Sequence, residues 1–140
     1  MTISQFFEML EAPLVCFRRS WGAYRAEDNV LFLRVWQDEC TSIDKKRYVR
    51  ILNAESEGDS FGRKERRRHI RAIETGTPVY LIMCVAKDPG AVPRSIHRFN
   101  RDELFIGGNV HTLDGNVWLE LAGRIKTSVL KTPEALLESK

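Results

Sequence analysis

Val79-Tyr80-Leu81-Ile82-Met83-Cys84-Val85-Ala86 presents apolar side chains on both faces, and a strand without a polar face has to be covered on each side. Gly76-Thr77-Pro78 precedes it and Asp88-Pro89-Gly90 follows it, so the run is bounded at strand length by turn residues. It is read as the central strand that anchors the core, with Cys84 as a core residue.

Upstream, Val30-Leu31-Phe32-Leu33-Arg34-Val35-Trp36 is the clearest strand of the first half. Period-two alternation puts Phe32, Arg34 and Trp36 on one face and Leu31, Leu33 and Val35 on the other. Leu14 to Phe17 and Ser20 to Tyr24 read as strands, and Asp44-Lys45 as a turn before a half-exposed strand at Arg47 to Leu52. Thr2-x-x-Gln5 has capping-box spacing ahead of a short opening helix whose apolar face is Ile3, Phe6, Phe7 and Leu10.

Downstream, Arg94 to Phe99 and Leu104 to Ile106 read as strands, and Gly107-Gly108 as a turn. Asp114-Gly115 is a hairpin turn joining Val110-His111-Thr112 to Asn116 through Leu121. Thr132-Pro133 starts a short tail helix. Six or more strands, two or three short helices and hairpin-length connections predict an α+β fold, a strongly bent mixed sheet or small barrel flanked by those helices. Residues 1–126 form a single globular domain on this reading, and 127–140 a C-terminal tail.

The 43% apolar content of the 140 residues suffices for one core without metal or disulfide support. No run approaches a membrane span and no basic leader precedes an apolar stretch, so the expected location is the cytoplasm. Cys16, Cys40 and Cys84 are too far apart for a Cys-x-x-Cys pair, and no cofactor or metal is expected.

Charge is concentrated in Arg63-Lys64-Glu65-Arg66-Arg67-Arg68-His69-Ile70-Arg71, where six cations face one carboxylate. The net charge of the chain is only +3, so the remainder is slightly acidic and the positive potential belongs to this element. Asp59 or Ser60 caps it as a helix, and Ile70 and Ile73 set its inner stripe. Arg66 and His69 fall beside that stripe, whereas Lys64, Arg67, Arg68 and Arg71 spread outward. A solvated helix face is the plain reading of such a run. The functional one is a grip on a polyanion, with Arg63, Lys64, Arg66, Arg67, Arg68 and Arg71 contacting phosphates.

Discrimination then needs a second surface. Phe32, Arg34 and Trp36 combine a forked cation with two aromatics, which suits base stacking and base-edge recognition. The competing reading packs Phe32 and Trp36 under a helix and sends Arg34 to a carboxylate such as Asp38 or Glu39. Trp21 beside Gly22 and Ala23 offers a flat wall with room for a planar ligand, and Trp118 and Glu120 a further wall and an acceptor for an exocyclic amine. Catalytic alternatives reduce to a nuclease or base-processing arrangement of His97, Arg98 and Glu120, without a constraining motif. A protein-interaction module that binds an acidic partner is a third reading.

The succession Trp21-Gly22, Phe32-Leu33-Arg34-Val35-Trp36-Gln37-Asp38-Glu39, Arg63-x-Glu65-Arg66-x-x-His69-Ile70, Pro78-Val79-Tyr80 to Cys84-x-Ala86-x-Asp88, and Arg94-x-Ile96-x-x-Phe99 resembles a family of small bacterial and phage domains found alone or ahead of HNH-type restriction nucleases. Across Leu14 to Ile125 the layout is similar to PUA-like folds, including the EVE and SRA readers. The resemblance implies a small PUA-like barrel that recognises a modified base, in DNA ahead of RNA, in restriction or phage defence. It implies a pocket role for Trp21, Phe32, Arg34 and Trp36, a backbone-contact role for the helix cations, and no catalysis by this chain. No HNH motif is present, so cleavage would fall to a separate nuclease as partner.

Overall fold

In a computed structural model, whose described residues are 1–54 and 60–130, Val79–Ala86 forms β5 at the heart of an eight-stranded mixed sheet. One edge of β5 pairs in parallel with β2 (Val30–Trp36), from Leu31 opposite Val79 to Trp36 opposite Cys84. The other edge is shared: Tyr80 and Leu81 pair antiparallel with β7 (Glu103–Leu113), and Cys84 to Ala86 pair with β6 (Ile96–Phe99). The remaining strands are β1 (Gly22–Arg25), β3 (Cys40–Ile43), β4 (Lys46–Leu52) and β8 (Asn116–Lys126), and the main path runs β1-β2-β5-β7-β8-β4-β3. The sheet is open, with β1 and β3 at its ends.

Both faces of β5 are covered, as its composition requires. Val79 and Leu81 join Leu31, Leu33 and Val35 in a core beneath α2 (Phe61–Glu74), while Ile82 and Cys84 join Phe32 in a second core against α1 (Ile3–Met9) and Leu130 of α3 (Thr127–Leu130). Burial pushes the Cys84 thiol up to about 12. The first core also contains Val49 and Ile51 of β4, which β5, β7 and β8 separate from β2 in the sheet, so the sheet must curl to bring them together.

Local chemistry accounts for the ends of these elements. Thr2 and Gln5 close a capping box at α1, with Gln5 N donating to Thr2 Oγ1 at 3.1 Å and Thr2 N to Gln5 Oε1 at 2.8 Å. Arg25, 5% exposed, donates from Nη1 to the carbonyls of Leu10 and Leu130 and so ties α1 and α3 to β1. Asp44 and Lys45 turn the β3–β4 hairpin with φ of 51° and 68°. No helix of the described residues is long and apolar enough to cross a membrane.

Two local expectations are corrected. Leu14 to Phe17 is not a strand: the chain turns on the Cys16 carbonyl, which accepts from Arg19 N at 3.0 Å and Ser20 N at 2.8 Å, and leaves Val15 and Phe17 exposed. Gly107-Gly108 is not a turn but a bulge inside the continuous strand β7. A Cβ at Gly107 would collide with Val79 Cγ1, so close approach dictates that glycine, whereas one at Gly108 would meet the movable end of the Glu120 side chain, 2.6 Å away at Oε1. The tail helix expected at Thr132-Pro133 lies outside the described residues.

Candidate functional site

Ser60 caps α2 by accepting from Arg63 N at 3.2 Å, and the helix then sorts its charges by face. Lys64, Arg68 and Arg71, spaced i, i+4 and i+7, are exposed. Arg63, Glu65, Arg66 and His69 are buried with Ile70 and Ile73. Arg63 and Arg66, expected among the phosphate-contacting cations, are therefore internal. Each has acceptors inside the fold, a fact that helical periodicity could not display.

Arg66 is 3% exposed, and its guanidinium donates to three carbonyls: Ile51 O at 2.9 Å from Nη1, and Trp21 O at 3.1 Å and Arg34 O at 3.0 Å from Nη2. The fork thus holds β4, β2 and the entry to β1 across the curl of the sheet. Burial, and next the neighbouring Arg34 guanidinium, push Arg66 down to about 9, so it is charged at neutral pH. Arg63 Nη1 reaches Asn53 O at 2.9 Å. Glu65 accepts from Ser20 Oγ and Trp21 N, both at 2.8 Å, which fixes the Trp21 backbone against the helix. Gly62 completes that junction, since a Cβ there would run into the Trp21 indole.

Around this junction lies a cavity of about 800 Å³. Its wall includes Trp21, Arg34 and Trp36, which the structure brings together. The N-terminal turn of α2, the end of β4 and the segment from Pro89 to Arg94 complete it. Among the described residues six arginines line it, Arg19, Arg34, Arg50, Arg63, Arg66 and Arg94, against one carboxylate, Glu39. That carboxylate is neutralised by Arg50 at 3.1 Å and Arg94 at 3.4 Å. Arg94 also grips Asp38 through both terminal nitrogens at 2.9 Å, and its guanidinium carbon lies 5.4 Å from the centre of the Trp36 ring. The Arg34 guanidinium has no hydrogen bond or ion pair among the described residues, and burial lowers its pKa.

Other expected site residues lie elsewhere. Phe32 is 0% exposed and packs with α1 and Tyr80, whose ring centre is 5.8 Å away, so its assignment to the pocket is corrected. It shares a face of β2 with Arg34 and Trp36, but α1 covers that face at the Phe32 end and leaves it open at the other. Gly22 is small because β2 approaches it, with Leu33 Cδ2 2.5 Å from where a Cβ would sit, and not to admit a ligand. Trp118 and Glu120 are absent from the cavity wall. Trp118 sits beneath Arg50 at 5.9 Å, and Glu120 accepts from Asn109 N and Nδ2, both at 3.2 Å.

The triad His97, Arg98 and Glu120 is not assembled. His97 is exposed on β6 and Arg98 lines a second cavity of about 400 Å³ that lacks the other two. Glu120 is held between Asn109 and Lys46, which lies 4.0 Å away. Among the described residues no cluster of His, Cys, Asp or Glu could hold a metal. Sequence reasoning missed Arg19, Arg50, Gly62 and Arg94. Of these only Gly62 carried a local signal, a glycine in the first turn of a helix where propensity disfavours it.

His69 is 4% exposed, with its ring edge-on to Tyr24 at 5.1 Å. Burial, then Arg66 and Arg68, hold its pKa down at about 4 against an ordinary 6.5. Between those two values the unfolded chain binds a proton that the folded chain refuses, so the His69 contribution falls as pH drops through that window and is complete above 6.5. The expected slope is at most about 1.4 kcal/mol per pH unit. Melts of wild type and His69→Phe at several pH values across that window should show a flatter profile for the variant. Equal slopes would contradict the assignment.

No family model, no curated protein and no solved structure matches the chain. What the site does has to be read from its own residues.

Proposed function

We propose that the chain is a nucleic-acid-binding module that reads a modified base, in DNA ahead of RNA. The cavity receives the base and the exposed cations of α2 hold the adjoining phosphates. On this proposal the curled sheet is an open relative of the PUA-like barrel, and any strand cleavage is done by a separate nuclease.

One observation supports the proposal most: a part-buried arginine whose guanidinium has no acceptor among the described residues shares a cavity with two tryptophans. About 800 Å³ is within the usual range for small-molecule sites, large enough for a nucleotide. Indole rings supply the stacking surface that a base finds favourable by about 1–3 kcal/mol. Lys64, Arg68 and Arg71 form a stripe along α2 that begins beside cavity residue Arg63 and runs for about 10 Å at the helical rise.

Labelled duplexes, plain and base-modified, titrated at two salt concentrations test the proposal. Binding that weakens steeply with salt and favours one modification is expected, and no binding to any nucleic acid at low salt would refute it. Replacing Lys64, Arg68 and Arg71 together by glutamine should weaken binding to all sequences alike. The logarithmic salt slope should fall by roughly 0.9 for each phosphate that the variant no longer neutralises. The melting temperature should barely move, because the three side chains are exposed. A triple variant with an unchanged salt slope would remove α2 from the interface.

A further inference from the structure

We infer that the cavity wall contains an anion subsite centred on Arg34, so that the nucleotide read there presents a phosphate or a carboxylate to this side chain. The inference rests on the proposal that the cavity takes a nucleotide, and specifies the chemistry of what it accepts.

The cations of the cavity differ in what already satisfies them. Arg50 and Arg94 hold Glu39, and Arg94 also holds Asp38. Arg66 has its terminal nitrogens on three carbonyls, and Arg63 has Nη1 on a fourth. Carbonyls satisfy donors but carry no net charge, so those two guanidiniums add positive potential to the site. The Glu65 carboxylate, which accepts from Ser20 and Trp21, keeps its charge and offsets one of these cations, so an excess of positive charge remains among the described residues. Arg34 is part-buried on the wall, and its guanidinium has no acceptor among the described residues.

A desolvated cation beside a second cation is unfavourable until an anion reaches it. A neutral base edge could accept hydrogen bonds from Arg34 but would leave the excess charge in place. A phosphate or carboxylate meets both needs, because its paired oxygens match the guanidinium fork and its charge cancels the excess. The phosphate would come from the nucleotide itself and the carboxylate from a modified base.

Calorimetric titration of the full chain with a nucleoside, its 5′-monophosphate and the base-carboxylated nucleoside separates the sources. At least one anionic ligand is expected to bind ~10-fold or more tightly than the neutral nucleoside, since charge-assisted bonds are about twice as strong as neutral ones. Preference for the monophosphate assigns the subsite to phosphate, and preference for the carboxylated nucleoside assigns it to the modification. Arg34→Gln should abolish the preference and Arg34→Lys retain part of it. Equal binding of all three by the wild-type chain, or a preference that survives in a folded Arg34→Gln variant, would overturn the inference. Duplex binding measured in parallel keeps the two ideas apart. If duplex binds without anion preference, only the subsite is wrong; if neither duplex nor any nucleotide binds at low salt, both fail.

Discussion

Replacing Arg66 by methionine is expected to destabilise the fold by about 3 to 5 kcal/mol, the range for removing one side of a buried charged network. Methionine fills much of the same volume, so the loss reports hydrogen bonds and not a cavity. Three carbonyls, of Trp21, Arg34 and Ile51, lose a donor at once. The Trp21 carbonyl keeps one backbone donor, Arg34 N at 2.9 Å. Lysine at position 66 would retain the charge but cannot fork between β2 and β4, so Arg66→Lys should fall between wild type and Arg66→Met. Denaturant unfolding of the three proteins measures this directly. A loss below about 1 kcal/mol for Arg66→Met, the worth of one ordinary hydrogen bond, would show that Arg66 does not pin the curl.

Phe32→Ala should cost about 3 to 5 kcal/mol as well, by a different mechanism. Its ring lies between α1 and β5 with no exposure, so truncation leaves a void that the surrounding Phe6, Phe7 and Ile82 fill only in part. The milder Phe32→Leu separates stability from recognition. It should lower the melting temperature while discrimination between modified and plain duplex stays as in wild type. Trp36→Ala, on the cavity wall, should reduce that discrimination by roughly 1–3 kcal/mol. Phe32→Leu acting on discrimination as Trp36→Ala does would place Phe32 in recognition after all.

The contrast between Phe32 and Trp36 marks how far the chain could be read without coordinates. Alternation along β2 assigns both to one face, but a strand pattern names the side of a side chain and not what covers it. At Phe32 the cover is α1, a separate element upstream of β1 that is held by the tie between Arg25, Leu10 and the distant Leu130. The core strand Val79–Ala86, the Asp114-Gly115 hairpin and the capped basic helix were legible because each is encoded within one continuous stretch of sequence. The direction of the α2 charges was legible only in phase: His69 and Arg66 face inward as the Ile70 and Ile73 stripe requires, yet the carbonyls that accept from Arg66 come from three distant segments. Arg50 and Arg94 reached the cavity by the same non-local route, through Asp38 and Glu39.

The three tryptophans permit a direct test of where a nucleotide sits, because Trp21 and Trp36 line the cavity and Trp118 does not. Indole N–H resonances of isotope-labelled protein, followed during titration with a short modified duplex, should shift for Trp21 and Trp36 and hold still for Trp118. Shifts confined to Trp118, or no shift at a concentration where the duplex is bound, would contradict a base-reading cavity between the tryptophans.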